Sequence, residues 1–191
     1  MSDEEYFTMM KRLNNRQCKI VLEILHCAKT KQDIPTFNMI PGSAGVGKSV
    51  TIEAIYQSLL WHNFEEKDYD PIKVCFTGKA ALNIRGLTIH TVFSLSPEQL
   101  RKINQLSSSQ QNTLYLQLHK LKLIVLDEIC IVSNKLLSYI ENRLRTIFFK
   151  NEYFGGVSIL AFGDFNQLNP VMGDPIYSCK DKQNPMSSGQ I

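Results

Sequence analysis

One nine-residue stretch constrains this chain more than any other: the run PGSAGVGKS from Pro41 to Ser49. Its last eight residues, from Gly42, match the phosphate-binding loop pattern G-x-x-x-x-G-K-[ST] at every position. The glycines let the backbone curl so that several N–H groups point at one anion. Lys48 can then reach the β- and γ-phosphates of a nucleotide, and the Ser49 hydroxyl can ligate Mg²⁺. A strand-like run before the motif and a helix-like run after it favour this interpretation over a glycine-rich turn that matches by accident.

Composition excludes several classes of protein. The 191 residues are 43% hydrophobic and 20% charged, which predicts a soluble globular protein of one domain. No apolar run has membrane-spanning length and the acidic N-terminus is unlike a secretory signal, so we expect an intracellular protein without a membrane partner. Five cysteines without C-x-x-C pairs favour a reducing compartment and argue against a zinc site. The net charge of +3 permits nucleic-acid binding without indicating it.

The spacing of apolar residues alternates between strand and helix. Helical spacing predicts helices over 15–30, 49–61 and 133–150. Short apolar runs predict strands over 36–40, 72–77, 123–126 and 156–162. This alternation predicts an α/β fold of the P-loop NTPase class, with a parallel sheet covered by helices on both faces. Because proline has no N–H for a sheet ladder, we expect the first strand to end by Ile40.

Two other segments are expected to lack regular structure. Residues 63–70 are charged and end before a proline, which predicts a surface connection. The polar run over 107–111 is interpreted as a loop tip or a frayed helix.

A pair of acidic residues, Asp127 and Glu128, follows the aliphatic run at 123–126. Ligands in nucleotide-binding α/β sheets lie at the carboxyl ends of strands. Asp127 is the candidate for holding Mg²⁺ opposite Ser49, and Glu128 is the candidate for activating the water that attacks the γ-phosphate. The alternative is that the pair only closes a strand and caps the next helix. Their position, about 80 residues after a phosphate loop, favours the catalytic interpretation.

The run GDFNQLNPV at 163–171 follows another predicted strand. Gln167 is a neutral amide that can hydrogen-bond the γ-phosphate or the attacking water. Glycine, aspartate, asparagine and proline also favour turns, so a simple turn is an equal alternative for this run.

The run TGKAA at 77–81, with GLTIHTVF at 86–93, also follows a strand end. Backbone N–H groups, Lys79 and small hydroxyls suit a sugar-phosphate chain. His90 and Phe93 could stack on single-stranded bases, but Phe93 is better explained as a core aromatic. For His90, a locally satisfied histidine is an equal alternative. The nucleic-acid candidates are therefore Thr77, Gly78, Lys79, His90 and Thr91.

In this order, the motifs resemble the first RecA-like domain of the PIF-one DNA helicases, which are RecD-like members of superfamily one. The elements that carry the resemblance are the phosphate loop, TGKAA at 77–81, TIHT at 88–91, Asp127-Glu128 and the GDxxQL pattern at 163–168. The phosphate loop alone fits many ATPases, whereas TGKAA, TIH and GDxxQL are more selective. The resemblance covers nearly the whole chain, from about Leu13 to Val171.

The resemblance implies further residues and an activity. It implies that the run LNNRQ at 13–17 is the adenine-reading motif of the family, with Gln17 as the reader. It implies ATP-driven translocation on single-stranded DNA, 5′-to-3′ unwinding at duplex junctions, and Mg²⁺ as the cofactor. It also implies roles in DNA repair, recombination and telomere maintenance, in the nucleus or, as the second expectation, in mitochondria. The candidates for nucleotide contact are Gln17, Gly42, Ser43, Ala44, Gly45, Val46, Gly47, Lys48 and Ser49.

Family helicases also need a second RecA-like domain that supplies arginines to the ATP site. Nothing after Val171 resembles that domain. We therefore expect residues 1–171 to form the first RecA-like ATPase domain and 172–191 to be a truncated tail. The chain alone is expected to bind Mg-ATP and to hydrolyse it slowly. Two alternatives remain, a small phosphate-loop kinase of a metabolite and a non-catalytic remnant that binds nucleotide or DNA.

Three positions depart from the family pattern. Cys130 and Ile131 replace the usual Ser-Met that follows Asp-Glu and one hydrophobic residue, and Asn169 replaces a proline after the glutamine motif. Pro41 directly precedes Gly42, where a strand-compatible residue is more usual. None of these changes removes a phosphate or metal ligand, and Cys130 is expected to be a small buried residue.

Overall fold

The computed structural model describes residues 2–30, 37–62, 70–95, 106–170 and 173–178. Its strands are β1 (Phe37–Pro41), β2 (Asp70–Cys75), β3 (Leu87–Thr88), β4 (Leu121–Asp127) and β5 (Ser158–Gly163). Its α-helices are α1 (Asp3–Lys11), α2 (Asn15–Lys29), α3 (Lys48–His62), α4 (Gly78–Asn83), α5 (Ile89–Val92), α6 (Ser108–Leu118) and α7 (Asn134–Phe148). Short 3₁₀ turns lie at Ile129–Ile131 and Tyr153–Gly156.

The strands form one parallel sheet with the order β1-β5-β4-β2-β3. The chain reaches each new strand by a crossover, and within the described residues helices account for most of each crossover. All five strands therefore point their carboxyl ends to the same edge of the sheet. The predicted α/β class with a parallel sheet is confirmed, and β3, a strand of only two residues, was missed by the sequence pattern.

Each central strand separates two hydrophobic clusters. In β4, Leu123 and Val125 pack with α2, α3 and α4, whereas Ile124 and Leu126 pack with α6 and α7. Side chains alternate between the two faces of a strand, so a run that is aliphatic at every position must be covered on both sides. In β5, Ile159 and Leu160 divide between the clusters in the same way. The result is a three-layer α/β/α arrangement.

Helix α1, which the sequence pattern did not reveal, and α2 precede the sheet and pack on α3. The Tyr6 ring stacks on Trp61 with the centroids 4.8 Å apart, and its hydroxyl lies 3.1 Å from the Ser58 hydroxyl. Helix α2 contributes Val21, Ile24 and Leu25 to the buried cluster that also contains Ile52 and Ile55 of α3, as its spacing predicted. No described helix is both long enough and apolar enough to cross a membrane.

The first strand includes Pro41, so the expectation that it ends by Ile40 is wrong. Pro41 pairs with Gly163 in β5, and the next residue, Gly42, donates its N–H to the Gly163 carbonyl at 3.0 Å. Successive N–H positions alternate between the two sides of a strand. The ring nitrogen of Pro41 therefore faces away from β5, and among the described strands β1 is an edge, where a missing donor disrupts no ladder.

Other boundaries differ by a few residues. Helix α7 ends at Phe148 because Phe149 takes a left-handed conformation with φ of 55°. Strand β2 begins at Asp70 and ends at Cys75, and of the charged connection predicted over 63–70, residues 63–69 lie outside the described residues.

The polar run at 107–111 is an ordered helix start rather than a loop tip or frayed end. Ser107 accepts a hydrogen bond from the Gln110 N–H, and the Gln110 side chain accepts one from the Ser107 N–H. This reciprocal capping box satisfies donors that the first helical turn leaves unpaired, so α6 begins at Ser108. The capping pattern, rather than polarity, was the informative signal.

Candidate nucleotide and nucleic-acid site

The candidate residues meet at the carboxyl edge of the sheet. Pro41 is level with Gly163, and Cys75 is level with Asp127. The phosphate loop follows β1, the GDxxQL segment follows β5, Asp127 ends β4, and the TGKAA segment follows β2. Because β5 lies between β1 and β4, the GDxxQL segment begins between the phosphate loop and the acidic pair.

The phosphate loop has the backbone shape that its glycines predicted. Gly45 and Gly47 have φ of 77° and 83°, which L-residues other than glycine rarely adopt. Lys48 Nζ donates to the carbonyl oxygens of Gly42 at 2.7 Å and Ser43 at 2.9 Å. Ser49 is exposed at the start of α3, next to Lys48. The lysine ammonium thus lies against the loop itself, where it can exchange carbonyl oxygens for phosphate oxygens.

Gln17 contacts the phosphate loop from α2. Its Nε2 donates to the carbonyls of Val46 at 3.2 Å and Gly47 at 3.3 Å, while its Oε1 accepts from the Asn14 N–H at 2.9 Å. The Asn14 side chain accepts from the Gln17 N–H in return, which completes a capping box at the start of α2. The predicted adenine reader is therefore at the nucleotide edge, with its amide bonded to the loop backbone.

Asp127 is a buried carboxylate at the end of β4, with 7% of its surface exposed. Its Oδ1 accepts a hydrogen bond from the Glu128 N–H at 2.9 Å. Burial raises the pKa of this carboxyl, while the Glu128 N–H and then the Lys48 charge act in the opposite direction. The Lys48 ammonium, on the phosphate loop, is thus near enough to act on the charge of Asp127.

Glu128 has a left-handed backbone with φ of 57° and ψ of 41°. This conformation is strained for a residue with a Cβ, and such strain concentrates at functional sites. Its Oε2 accepts a hydrogen bond from the Thr77 hydroxyl at 3.3 Å.

Burial, together with the charges of Asp127 and Glu128, raises the pKa of the neighbouring Cys75 thiol to about 12, so this cysteine stays protonated.

The GDxxQL segment is an ordered turn. Asp164 is buried, and its carboxylate accepts from the Asn166 N–H at 3.1 Å and from Gln167 Nε2 at 2.9 Å. Sequence reasoning named Gln167 but missed Asp164 as the residue that holds it; an aspartate two residues before a turn N–H was the available signal. The Gln167 side chain is exposed, and its described hydrogen bond goes to Asp164 rather than to the phosphate loop or the acidic pair.

Tyr177, which lies outside the predicted site, stabilises this turn. The Tyr177 hydroxyl donates to Asn169 Oδ1 at 2.7 Å, and the Tyr177 ring meets Phe165 edge to face at 5.4 Å. Asn169 is the position where the family resemblance predicts a proline. The Asn169 side chain accepts a hydrogen bond from Tyr177 in the segment 173–178, which a proline ring could not do.

The candidate nucleic-acid residues lie beyond β2 and β3. Thr77 caps α4 by accepting the Ala80 N–H at 3.2 Å, which leaves Gly78 and Lys79 exposed in the first turn. His90 lies edge to face against Phe76 with centroids 5.7 Å apart. Thr91 shares a hydrogen bond with Thr88, with the two hydroxyl oxygens 2.8 Å apart.

Two residues proved to be structural. Phe93 is 1% exposed and belongs to the core, as the preferred interpretation held. Cys130 is buried as a small residue beside the site.

Within the described parts of the chain, no group of three or more His, Cys, Asp or Glu residues could hold a metal ion. A magnesium ion here would depend on one hydroxyl and one carboxylate together with phosphate oxygens.

Comparison with known proteins identifies the family. The family model described as PIF1-like helicase matches residues 12–183. The chain belongs to the PIF1-like helicase family. The resemblance drawn from the motifs is confirmed, and membership favours the helicase interpretation over the kinase alternative.

Curated relatives agree with this assignment. The ATP-dependent DNA helicase PIF1 of Emericella nidulans is 34% identical over 137 residues, which cover 68% of this chain and 17% of the relative. The ATP-dependent DNA helicase RRM3 of Saccharomyces cerevisiae is 34% identical over 132 residues, covering 68% of this chain and 18% of the relative. The chain therefore spans less than a fifth of the length of these relatives.

Solved structures share the fold. The crystal structure of Pif1 helicase from Candida albicans matches with a TM-score of 0.65 at 28% identity, over 84% of this chain and 34% of that one. The Pif1 helicase from Bacteroides in complex with ADP-AlF3 and ssDNA matches with a TM-score of 0.57 at 30% identity, over 78% of this chain and 33% of that one. The RecA-like P-loop fold is thereby confirmed, and this chain corresponds to about a third of each solved helicase.

Proposed function

We propose that this chain is the first ATPase domain of an ATP-dependent DNA helicase, in which ATP hydrolysis drives translocation along single-stranded DNA and the unwinding of duplexes. The observation that carries the proposal is the convergence of the phosphate loop, the acidic pair and the GDxxQL segment on one sheet edge in a member of this family. The names of relatives support DNA as the substrate, since one solved relative is a complex with ADP-AlF3 and ssDNA.

The phosphate loop would bind the nucleotide. The loop N–H groups and Lys48 would hold the β- and γ-phosphates, with the ammonium released from the Gly42 and Ser43 carbonyls. Gln17 would contact adenine and keep the loop in position through Val46 and Gly47. Other nucleotide contacts would come from Ala44 and Gly45.

The acidic pair would carry the hydrolytic chemistry. Ser49 and Asp127 would hold Mg²⁺, which neutralises phosphate charge when it is bound. The donor set fits: Asp127 Oδ1 is occupied by the Glu128 N–H, and among the described hydrogen bonds none engages Oδ2. Glu128 would take a proton from water as that water attacks the γ-phosphorus and the bond to the β-phosphate oxygen breaks. Gln167 would sense the γ-phosphate.

The residues after β2 and β3 would bind the sugar-phosphate chain of single-stranded DNA. Gly78 and Lys79 are exposed in the first turn of α4, where N–H groups and a positive charge are available to phosphate. His90 and Thr91, with Thr77, would complete this contact.

The finer expectations rest on the resemblance. We propose 5′-to-3′ movement, roles in DNA repair, recombination and telomere maintenance, a nuclear location, and a second RecA-like domain that completes the ATP site. As an isolated polypeptide of 191 residues, the chain should bind Mg-ATP but hydrolyse it slowly, because an arginine from elsewhere accelerates related reactions by orders of magnitude.

The first experiment titrates a fluorescent ATP analogue into the chain with Mg²⁺ and repeats the titration with Lys48→Ala. We expect saturable binding that this substitution abolishes. Lys122→Ala is the matched control, because Lys122 is exposed near the amino end of β4, at the opposite edge of the sheet. Equal binding by all three proteins would contradict the proposed nucleotide site.

The second experiment measures binding of a labelled oligothymidylate. Lys79→Ala should weaken binding and reduce its salt dependence, whereas Lys122→Ala should leave both unchanged. Failure of the wild-type chain to bind the oligonucleotide at low salt would contradict the nucleic-acid part of the proposal.

A further inference from the structure

The Thr77 hydroxyl connects the two halves of the proposed site. It donates to Glu128 Oε2 at 3.3 Å, and it accepts the Ala80 N–H at 3.2 Å, which caps α4. The candidate general base and the candidate DNA-binding helix thus depend on the same side chain. Because a hydroxyl has one proton, Thr77 can donate to only one acceptor at a time.

The hydrogen bond to Thr77 fixes the side of β4 on which the Glu128 carboxylate lies. On one side of β4 lies β5 and then β1, and the phosphate loop follows β1. On the other side lies β2, and Thr77 follows β2. A Glu128 carboxylate bonded to Thr77 is consequently drawn toward β2, away from the strand that carries the phosphate loop.

We propose that Thr77 is a positioning residue that restrains Glu128 until single-stranded DNA binds. This rests on the proposed function. A backbone phosphate at the start of α4 carries charged oxygens that compete with the Glu128 carboxylate for the Thr77 hydroxyl, and its negative charge repels that carboxylate. When Thr77 donates its hydrogen bond to the phosphate instead, the Glu128 carboxylate is free to turn toward the water beside the γ-phosphate. DNA binding thereby permits hydrolysis without any contact between DNA and nucleotide.

The test compares Thr77→Val, which has the same shape without the hydroxyl, with Thr77→Ser, which keeps it. Single-turnover Mg-ATP hydrolysis is measured with the 191-residue chain in excess, with and without oligothymidylate. Without DNA, Thr77→Val should hydrolyse about fivefold faster than wild type, the factor that corresponds to one ordinary hydrogen bond. Thr77→Ser should match wild type, and oligothymidylate should accelerate Thr77→Val less than it accelerates wild type.

Two controls separate restraint from general damage. Ser107→Ala removes a comparable helix-capping hydroxyl on α6, outside the site, and should leave hydrolysis unchanged. Adding Glu128→Gln to Thr77→Val should abolish the gain, because the freed carboxylate is its source. An unchanged or lower rate in Thr77→Val, or a gain that survives Glu128→Gln, would overturn the proposal.

Failure of the proposed function gives a different result. If wild-type chain that is folded by circular dichroism binds no fluorescent Mg-ATP analogue, the nucleotide site itself is wrong and the restraint falls with it. If wild type binds the analogue but Thr77→Val shows no gain, only the restraint is refuted.

Discussion

The side-chain amide of Gln17 closes over the backbone of Gly47. Gln17 Nε2 donates to the Gly47 carbonyl at 3.3 Å, and a Cβ on Gly47 would lie 2.6 Å from the same nitrogen. The φ of 83° at the last glycine of the phosphate loop favours glycine, and any Cβ there would also displace the Gln17 amide from its hydrogen bonds. The loop and α2, which lie about 30 residues apart in the chain, hold each other in place.

Substitution of the two loop glycines separates these requirements. Gly45→Ala meets nothing within 4 Å, so it should lose only about 1 kcal/mol of unfolding free energy from its positive φ. Gly47→Ala carries the same backbone strain and must also displace Gln17, so it should lose more. Urea unfolding of both variants measures this difference. Equal losses would mean that the Gln17 contact does not constrain position 47.

Truncation of Gln17 should weaken nucleotide binding. Gln17→Ala removes the capping box of α2 and the restraint on the loop, whereas Gln110→Ala removes only the equivalent capping box of α6. Each should reduce stability by up to about 1 kcal/mol. Only Gln17→Ala should also raise the dissociation constant of a fluorescent ATP analogue, by about fivefold for one lost hydrogen bond. Similar affinities in the two variants would refute this role.

A methyl group at Gly163 should disturb the packing of Ile129, the residue that follows Glu128. Its Cβ would lie 2.8 Å from Ile129 Cγ2, and Ile129 is fully buried directly after Glu128. Gly163→Ala should therefore lower the unfolding free energy by about 1–3 kcal/mol. Gly78→Ala, which meets nothing within 4 Å at a helical position, should be neutral or slightly stabilising. Thermal unfolding of both variants provides the comparison.

Asp127 should make the fold less stable as pH rises. Burial raises its folded pKa above the ordinary 3.8, so between these two values the folded state binds more protons than the unfolded state. Stability from this group is thus present at acid pH and lost as pH rises from 3.8 through the folded pKa. Asp127→Asn, which keeps an oxygen for the Glu128 N–H, should be more stable than wild type at pH 7.

Urea unfolding of Asp127→Asn and wild type at several pH values tests the sign. The advantage of the variant should shrink as the solution is acidified toward pH 3.8 and should be largest above the folded pKa. A wild-type protein that is the more stable of the two at pH 7 would show that the Lys48 charge and the Glu128 N–H outweigh burial.

Tyr177→Phe should loosen the turn that carries Gln167. The substitution removes the hydrogen bond to Asn169 and keeps the ring contact with Phe165. Because both partners are exposed, the loss of global stability should be about 1 kcal/mol or less. Hydrogen exchange should nevertheless become faster over residues 165–169. Unchanged exchange there would show that the Asp164 carboxylate alone maintains the turn.

Local patterns predicted the parts of the site that short stretches of chain specify. The phosphate loop, the strand before Asp127 and the helix over 134–148 follow from spacing and side-chain type alone, since each is determined by neighbours within a few residues. The same local argument failed for α6, where we weighed polarity above the capping box of Ser107 and Gln110. It also failed at Pro41, because a strand boundary depends on whether the missing donor faces a neighbour or an edge.

Residue types and local spacing establish which chemical groups are present and which strand ends carry them. How two of those groups are used depends on the folded chain: Gln17 bonds the loop backbone and Thr77 holds Glu128. These partners are separated by 29 or more residues. A hydrogen bond depends on distances of a few tenths of an ångström. The packing of α2 on α3 brings Gln17 to the loop, and the strand order β1-β5-β4-β2-β3 brings the end of β2 beside the end of β4. Composition and spacing carry no record of that order.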